Sequence, residues 1–179
     1  CYVTSSYLHD IGAGGVLMRG SKDDGIVSEG GNIVENNYFY NIGTVKRVST
    51  AVVVRTSDNN KILYNTLDIV PRSAVILGTG LGATSKKGQT INGTLVTEEN
   101  MYDFKNCRGN LVAYNDIYRA MNDTSDGGPV YIWGTGKDNV IKNNHVNSYD
   151  ILYGFGYAYY GDDQCGYTTW ENNIADHIN

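Results

Sequence analysis

VENNYF, residues 34–39, is one of six copies of a short phrase: an aliphatic or aromatic residue, two further residues, usually an asparagine, and then two residues that include a second apolar one. The other copies are VTSSYL from Val3, ILYNTL from Ile62, VAYNDI from Val112, IKNNHV from Ile141 and WENNIA from Trp170. The fourth positions are Ser6, Asn37, Asn65, Asn115, Asn144 and Asn173, which are 31, 28, 50, 29 and 29 residues apart. A repeat of about 29 residues predicts a solenoid.

The repeats have the composition of strands and turns. Their apolar segments are short, β-branched or aromatic, and Gly, Asn, Asp and Ser separate them. A second strand is predicted in five units: GGVLMRG from Gly14, TAVVVRT from Thr50, SAVILGT from Ser73, PVYIWGT from Pro129 and YAYYGDD from Tyr157. Two or three short strands per turn predict an all-β parallel β-helix over residues 1–179, and we expect it to be right-handed.

The repeated asparagine has a predicted structural role. Asparagine tolerates the left-handed backbone of tight corners, and its amide can bond the equivalent amide one coil away at about 4.8 Å spacing. Strand alternation predicts that Val52 and Val54 point inward while Val53 and Arg55 point outward. By the same alternation Val16 and Met18 face the core.

One unit carries about twenty extra residues, and we predict an inserted loop around residues 79–108. Its first part, GTGLGATSKKGQTINGT, has the Gly, Thr, Ser and Lys content of a surface loop. Long loops in compact folds often carry function, so this one either walls a groove or is a tolerated insertion.

Composition limits the setting and the partners. The formal charge of −5 and the pI near 5.0 argue against nucleic acid as a partner. The sequence contains no run of eighteen apolar residues, so it predicts no membrane-spanning helix. Sequons at Asn92 and Asn122 favour an extracellular or cell-surface location. The chain begins inside a repeat, so we expect a partial solenoid that could associate with copies of itself end to end or side by side.

Outward side chains on the second strand stack into a row along the solenoid. The row passes from Arg19 and Arg55 through Gly78 to aromatic and acidic side chains, which are Tyr131, Trp133, Tyr160 and Asp162. Aromatic rings stack on sugar rings, and carboxylates bond sugar hydroxyls. The row therefore predicts a glycan-binding groove in which Trp133, Tyr131, Tyr160 and Arg55 contact a polysaccharide.

Asp126, Asp162 and Asp163 are the candidate catalytic carboxylates, because glycosidases use a pair of them. Asp126 and Asp162 are 36 residues apart, seven more than one coil. They converge if Gly127, Gly128 and Pro129 form a corner that turns Asp126 back over the strand face.

No metal or organic cofactor is expected. The three histidines lie in separate coils, and no spacing resembles a zinc site. Asp23, Asp24 and Glu29 could hold calcium, although a solvated acidic turn explains the cluster more simply.

The repeats, together with NDTSDGG from Asn122, VYIWG from Val130 and YYGDD from Tyr159, resemble the secreted parallel β-helix proteins of the pectate-lyase-like superfamily. Within it the chain is most similar to the glycoside hydrolase branch, in which an Asn-Asp-x-Gly-type turn is followed one coil later by a Tyr-x-Asp-Asp turn. The resemblance implies a hydrolase with carboxylates at Asp126 and at Asp162 or Asp163.

Two other functions remain open. A polysaccharide lyase of this fold would use an arginine base, for which Arg55 and Arg72 are candidates. A non-catalytic shaft, as in a tailspike, adhesin or surface filament, would use the same ladders for rigidity alone.

Overall fold

The computed structural model describes residues 1–78, 86–148 and 157–178 and shows a parallel β-helix, as predicted. Each complete coil contributes three strands, one to each of three parallel sheets. Strands are numbered here in chain order. No helix within the described ranges is long and apolar enough to cross a bilayer.

Sheet 1 and sheet 2 are formed by the two halves of the repeated phrase, before and after the asparagine. The strands of sheet 1 are β1 (Tyr2–Thr4), β4 (Ile33–Glu35), β7 (Lys61–Leu63), β12 (Leu111–Ala113), β15 (Asn139–Lys142) and β18 (Thr168–Glu171). Those of sheet 2 are β2 (Tyr7–Ile11), β5 (Tyr38–Ile42), β8 (Thr66–Val70), β13 (Asp116–Ala120), β16 (His145–Asn147) and β19 (Ile174–Asp176).

Sheet 3 is formed by the second predicted strand of each unit. Its strands are β3 (Val16–Arg19), β6 (Val52–Arg55), β9 (Val75–Gly78), β14 (Val130–Trp133) and β17 (Tyr159–Gly161). The predicted alternation is confirmed, because Val52 and Val54 are fully buried while Val53 and Arg55 lie on the outer face. The three sheets enclose a core of aliphatic side chains and one aromatic ring, including Phe39, Ile62, Leu67, Leu77, Ile117 and Ile132.

The asparagine ladder is confirmed. The side-chain amide of Asn37 donates to Oδ1 of Asn65 at 2.9 Å, and that of Asn65 donates to Oδ1 of Asn115 at 3.0 Å. Asn115 and Asn144 continue the ladder to Asn173 at 2.9 and 3.0 Å. Water does not reach these buried corners, so the side-chain amides supply the hydrogen bonds that the buried polar groups need.

The backbone part of the prediction was wrong. The left-handed residue at each corner is the one before the ladder asparagine, such as Asn36 with φ 54° and Tyr114 with φ 58°. The ladder asparagine turns its side chain into the corner, so the preceding residue takes the positive φ and keeps its side chain outside. Tyrosine is tolerated there, and Tyr64 stacks on Tyr114 with ring centroids 4.9 Å apart.

A second asparagine ladder lies at the corner between sheet 3 and sheet 1. The amide of Asn60 donates to Oδ1 of Asn110 at 2.8 Å, and Asn110 donates to Asn139 at 3.0 Å. Asn32 joins the same row through Asn60 at 2.8 Å. The signal was present in the sequence, since each member stands five positions before a member of the first ladder.

The described part of the inserted loop, residues 86–108, contains secondary structure and buried residues. It contains the hairpin β10 (Thr90–Ile91) and β11 (Thr94–Leu95) and a 3-10 helix over Met101–Phe104. Lys105, Asn106 and Cys107 are then buried. Cys107 is a free thiol whose pKa is raised by burial. The start of the predicted loop, 79–85, lies outside the described residues.

Candidate functional site

The outer face of sheet 3 carries two rows of side chains that run along the solenoid axis. Register places Leu17, Val53, Ile76, Tyr131 and Tyr160 in one row. The neighbouring row contains Arg19, Arg55, Gly78 and Trp133. Asp162 follows Gly161, which pairs with Ile132, so Asp162 stands next to Trp133 in that row. The structure therefore gives one apolar row beside one polar row.

A groove of about 520 Å³ lies over these rows. Val53, Ile76 and Tyr131 form its floor, and Arg55, Gly78 and Trp133 line it from the polar row. The opposite wall comes from the connections between sheet 2 and sheet 3, and its residues include Lys46, Val48, Ser49 and Arg72. The groove is thus formed by two strand rows and the turns beside them.

Tyr131 marks one end of the groove and links it to a carboxylate. Its hydroxyl donates a 2.6 Å hydrogen bond to Oδ2 of Asp162. The other oxygen of Asp162 accepts the N–H of Asp163 at 2.7 Å. Two donors from different positions fix the orientation of this carboxylate at the groove end.

The charge of Asp126 affects the same end of the groove, while the predicted approach of its carboxylate to Asp162 stays a prediction. The pKa of Tyr131 is raised by burial, by the hydrogen bond from its hydroxyl to Asp162 and by the negative charges of Asp162 and Asp126. The pKa of Tyr160 is raised by desolvation and by the same two charges. Both carboxylates therefore act on both phenols.

The turn before β14, which carries Asp126, packs against the residues around β17. Gly127 has φ 129°, a conformation that side chains rarely permit. Gly128 is packed so tightly that a Cβ there would lie 2.5 Å from the carbonyl oxygen of Tyr157 and 3.2 Å from Cβ of Tyr160. The absent side chains let the turn carrying Asp126 approach Tyr160.

Asp163 occupies a different position from Asp162. Its carbonyl accepts the N–H of Gly134 at 2.8 Å, which ties the turn to the end of β14. It is exposed, and its charge contributes to the raised pKa of Tyr160. The two adjacent aspartates are thus separated into one that contacts Tyr131 and one at the outer surface.

The groove also carries three basic side chains. Lys46, Arg55 and Arg72 line it, and Arg72 lies with its guanidinium carbon 6.0 Å from the centroid of the Tyr131 ring. Nε of Arg72 is buried without a hydrogen-bond acceptor. Lys46 and Val48 were not anticipated, because their place in the wall depends on how the connection at residues 43–50 folds over sheet 3.

The structure bears on two alternatives that the sequence left open. Residues 86–108 do not line the groove; this part of the insertion packs against the turn at residues 23–27 through Asn106. Two of the carboxylates considered for calcium accept backbone N–H groups: Asp23 accepts that of Asn106 in the insertion, and Asp24 accepts that of Ile26 within the turn. Within the described ranges, no cluster of His, Cys, Asp and Glu could hold a metal ion.

Comparison of the chain with protein-family models, with curated proteins and with solved structures finds no match in any of the three. The fold assignment therefore depends on the sheets and their register.

Proposed function

We propose that this chain is an extracellular carbohydrate-active module that hydrolyses glycosidic bonds of a polysaccharide, as the resemblance to β-helix glycoside hydrolases implies. The observation that carries the proposal is the Asp162 carboxylate, which the Tyr131 hydroxyl holds at 2.6 Å at the end of an open groove, while the turn that carries Asp126 packs against Tyr160. Paired carboxyl groups beside a sugar-binding surface are what glycoside hydrolysis requires.

The two carboxyl groups are suited to different roles. Asp162 is fixed by Tyr131 and by the N–H of Asp163, as a nucleophile or base must be. Asp126 is exposed and has no hydrogen-bond partner among the described side chains, so it can approach the leaving-group oxygen as the acid. Tyr131 would hold Asp162 in place through each step.

The groove supplies binding surface of the right kind. The half-buried indole of Trp133 and the ring of Tyr160 stand on the two rows that lead to Asp162. Sugar rings stack on such faces while hydroxyl groups bond charged side chains. A chain lying along the solenoid axis would pass Arg55 and Trp133 before it reaches the carboxylates.

Turnover of a polysaccharide panel by the purified chain tests the proposal. With an accepted substrate, Asp126→Asn and Asp162→Asn should each lower kcat by about 10²–10⁴-fold. Asp123→Asn is the matched control, because Asp123 lies on the same connection but pairs with Arg47 on the outer surface. Asp163→Asn should cost less than Asp162→Asn.

The products distinguish the alternatives. Reducing ends without unsaturation indicate hydrolysis, and the anomer first released shows whether the reaction retains or inverts configuration. Unsaturated uronate ends would assign a lyase instead. Binding without turnover by wild type, unaffected by either substitution, would contradict the hydrolase and favour a non-catalytic shaft or adhesin.

A further inference from the structure

The insertion packs against the turn that carries Asp162, which comprises residues 162–167. The Tyr102 ring, in the 3-10 helix of the insertion, lies so close to Gly166 that a Cβ there would be 2.8 Å from Cζ of the ring. The same ring meets that of Tyr167 edge to face, with centroids 5.3 Å apart. The described part of the insertion does not line the groove, yet it contacts the turn that holds the carboxylate at the groove end.

Lys105 is the buried link between the insertion and this turn. The residue is 1% exposed. Its ammonium donates a hydrogen bond to Oε1 of Gln164 and lies 5.8 Å from the centroid of the Tyr102 ring. In the described ranges the ammonium makes no other hydrogen bond and no ion pair, so a neutral amide oxygen is its acceptor.

Stability alone does not account for a lysine at this position. Burial lowers the pKa of Lys105, because an ammonium that leaves water for a single neutral acceptor is poorly compensated. An apolar side chain of similar volume, such as methionine, would fill the space without that cost. The cost points to a role for the bond in fixing one backbone conformation, as buried polar groups do in some other proteins.

The turn at residues 162–167 has an unusual backbone. Gln164 has φ 57° and Tyr167 has φ 59°, a region that residues other than glycine seldom adopt. The carbonyl of Asp163 accepts the N–H of Gly134 at 2.8 Å, and the carbonyl of Tyr167 accepts the N–H of Asp138 at 3.1 Å. Backbone hydrogen bonds therefore hold both ends of the turn, and the side-chain bond from the insertion holds its middle.

We propose that Lys105 is a positioning residue. Through Gln164 it keeps the turn at residues 162–167 in the conformation that directs the carboxylate of Asp162 to the Tyr131 hydroxyl and to a bound substrate. The part that concerns the substrate rests on the proposed function, whereas the part that concerns Tyr131 does not. The insertion thus acts on the site through this turn rather than by lining the groove.

A double-mutant cycle tests the link without any substrate. Lys105→Met removes the bond and keeps most of the volume, and Tyr131→Phe removes the hydroxyl that holds Asp162. If Lys105 positions Asp162, Tyr131→Phe should shift the urea midpoint in the Lys105→Met background by no more than about half of its shift in wild type. Gln164→Met, for which the same result is expected, gives the measurement independently if Lys105→Met does not fold.

Lys86→Met is the matched control. Lys86 belongs to the same insertion and its side chain is 11% exposed, but its ammonium donates to the carbonyl of Phe104 at 2.7 Å and pairs with Asp23 at 3.4 Å. Neither partner lies in the turn at residues 162–167. Tyr131→Phe should therefore shift the midpoint equally in Lys86→Met and in wild type.

Kinetics extend the test to the site. With an accepted substrate, Lys105→Met and Gln164→Met should each lower kcat by about 10-fold or more, because a displaced Asp162 is no longer held in the reactive geometry. KM should change by less than about threefold, since the binding surface of the groove stays in place. Lys86→Met should leave kcat within about twofold of wild type.

The outcomes separate the two proposals. Equal midpoint shifts of Tyr131→Phe in wild type and in Lys105→Met would overturn the positioning role, even if the wild-type chain hydrolyses a polysaccharide. A reduced shift in Lys105→Met together with a full shift in Lys86→Met supports it, even if no polysaccharide of the panel is hydrolysed. A shift reduced equally in both lysine variants, or an unchanged kcat in an active Lys105→Met, would also overturn it.

Discussion

The Tyr131 hydroxyl donates a 2.6 Å hydrogen bond to Asp162 between the adjacent strands β14 and β17. The phenol is 6% exposed, and its pKa is raised above the ordinary 10.0 by burial, by that bond and by nearby carboxylates. A phenol in this setting keeps its proton, because losing it would place a second negative charge beside Asp162. The contribution of this bond to the free energy of unfolding therefore depends on pH.

Tyr131→Phe tests this coupling. A raised pKa in the folded chain means that the folded state holds the proton more tightly, so the stabilisation is full below about pH 10 and is lost as pH rises through the folded value. At about pH 8 the substitution should lower the free energy of unfolding by about 1.5–3 kcal/mol. Denaturant unfolding at about pH 8 and above pH 10 should show this difference shrinking.

Phenolate absorbance gives an independent reading. Between about pH 9 and 10.5 the folded wild type and Tyr131→Phe should gain the same absorbance, because Tyr131 stays protonated over that range. A larger gain in wild type, or a stability difference that is constant with pH, would contradict the raised pKa.

Asn65→Ala should be among the most damaging single substitutions in sheets 1 and 2. The Asn65 amide donates to the carbonyl of Val34 at 3.0 Å and to Asn115, and its oxygen accepts from Asn37. Removing it leaves several buried groups without hydrogen-bond partners, at a cost of about 1–3 kcal/mol each. We therefore expect the free energy of unfolding, measured in urea, to fall by at least about 3 kcal/mol.

The neighbouring position supplies the control for this ladder. Asn36→Gly replaces an exposed asparagine whose φ of 54° glycine adopts readily, so its effect should stay within about 1 kcal/mol. Similar losses for the two variants would mean that the corner depends on its backbone conformation rather than on the ladder.

Arg108→Ala should destabilise the corner next to the insertion. Asp58 is fully buried, and its carboxylate accepts Nε of Arg108 at 3.1 Å and the Asn106 amide at 3.0 Å. Removing the arginine leaves a buried carboxylate without its cation, which costs about 3–5 kcal/mol. Arg47→Ala breaks an exposed pair and should cost at most about 1 kcal/mol. Thermal unfolding of both variants measures the contrast.

Gly128→Ala should displace the turn that carries Asp126. The new Cβ would meet the carbonyl oxygen of Tyr157 at 2.5 Å, so the turn must move away from β17. We expect a loss of about 1–3 kcal/mol and a fall in any hydrolytic activity larger than stability explains. Gly12→Ala, where the nearest atom would lie at an ordinary 3.4 Å, is the control. Equal activity of the two variants would show that the turn does not position Asp126.

The sequence predicted the repeating parts of this molecule well. The spacing of Asn37, Asn65 and Asn115 established the coil, and alternation placed Arg55 on the outer face of sheet 3. The left-handed corner residue was misassigned by one position. Asparagine is suited both to a side-chain ladder and to a positive φ, so the sequence alone did not separate the two roles. The second ladder, which includes Asn60 and Asn110, follows the same period and was not predicted.

What the sequence determined by itself is therefore the solenoid and the faces of its strands, because hydrogen-bonded coils force the same pattern to recur with a readable period. The tertiary structure decided what lies around the groove: Lys46 and Arg72 in its wall, residues 86–108 away from it, and the turn that carries Asp126 packed against Tyr160. These placements depend on connections of unequal length and on single backbone conformations such as that of Gly127. Such features do not repeat, so only contacts between coils fix them.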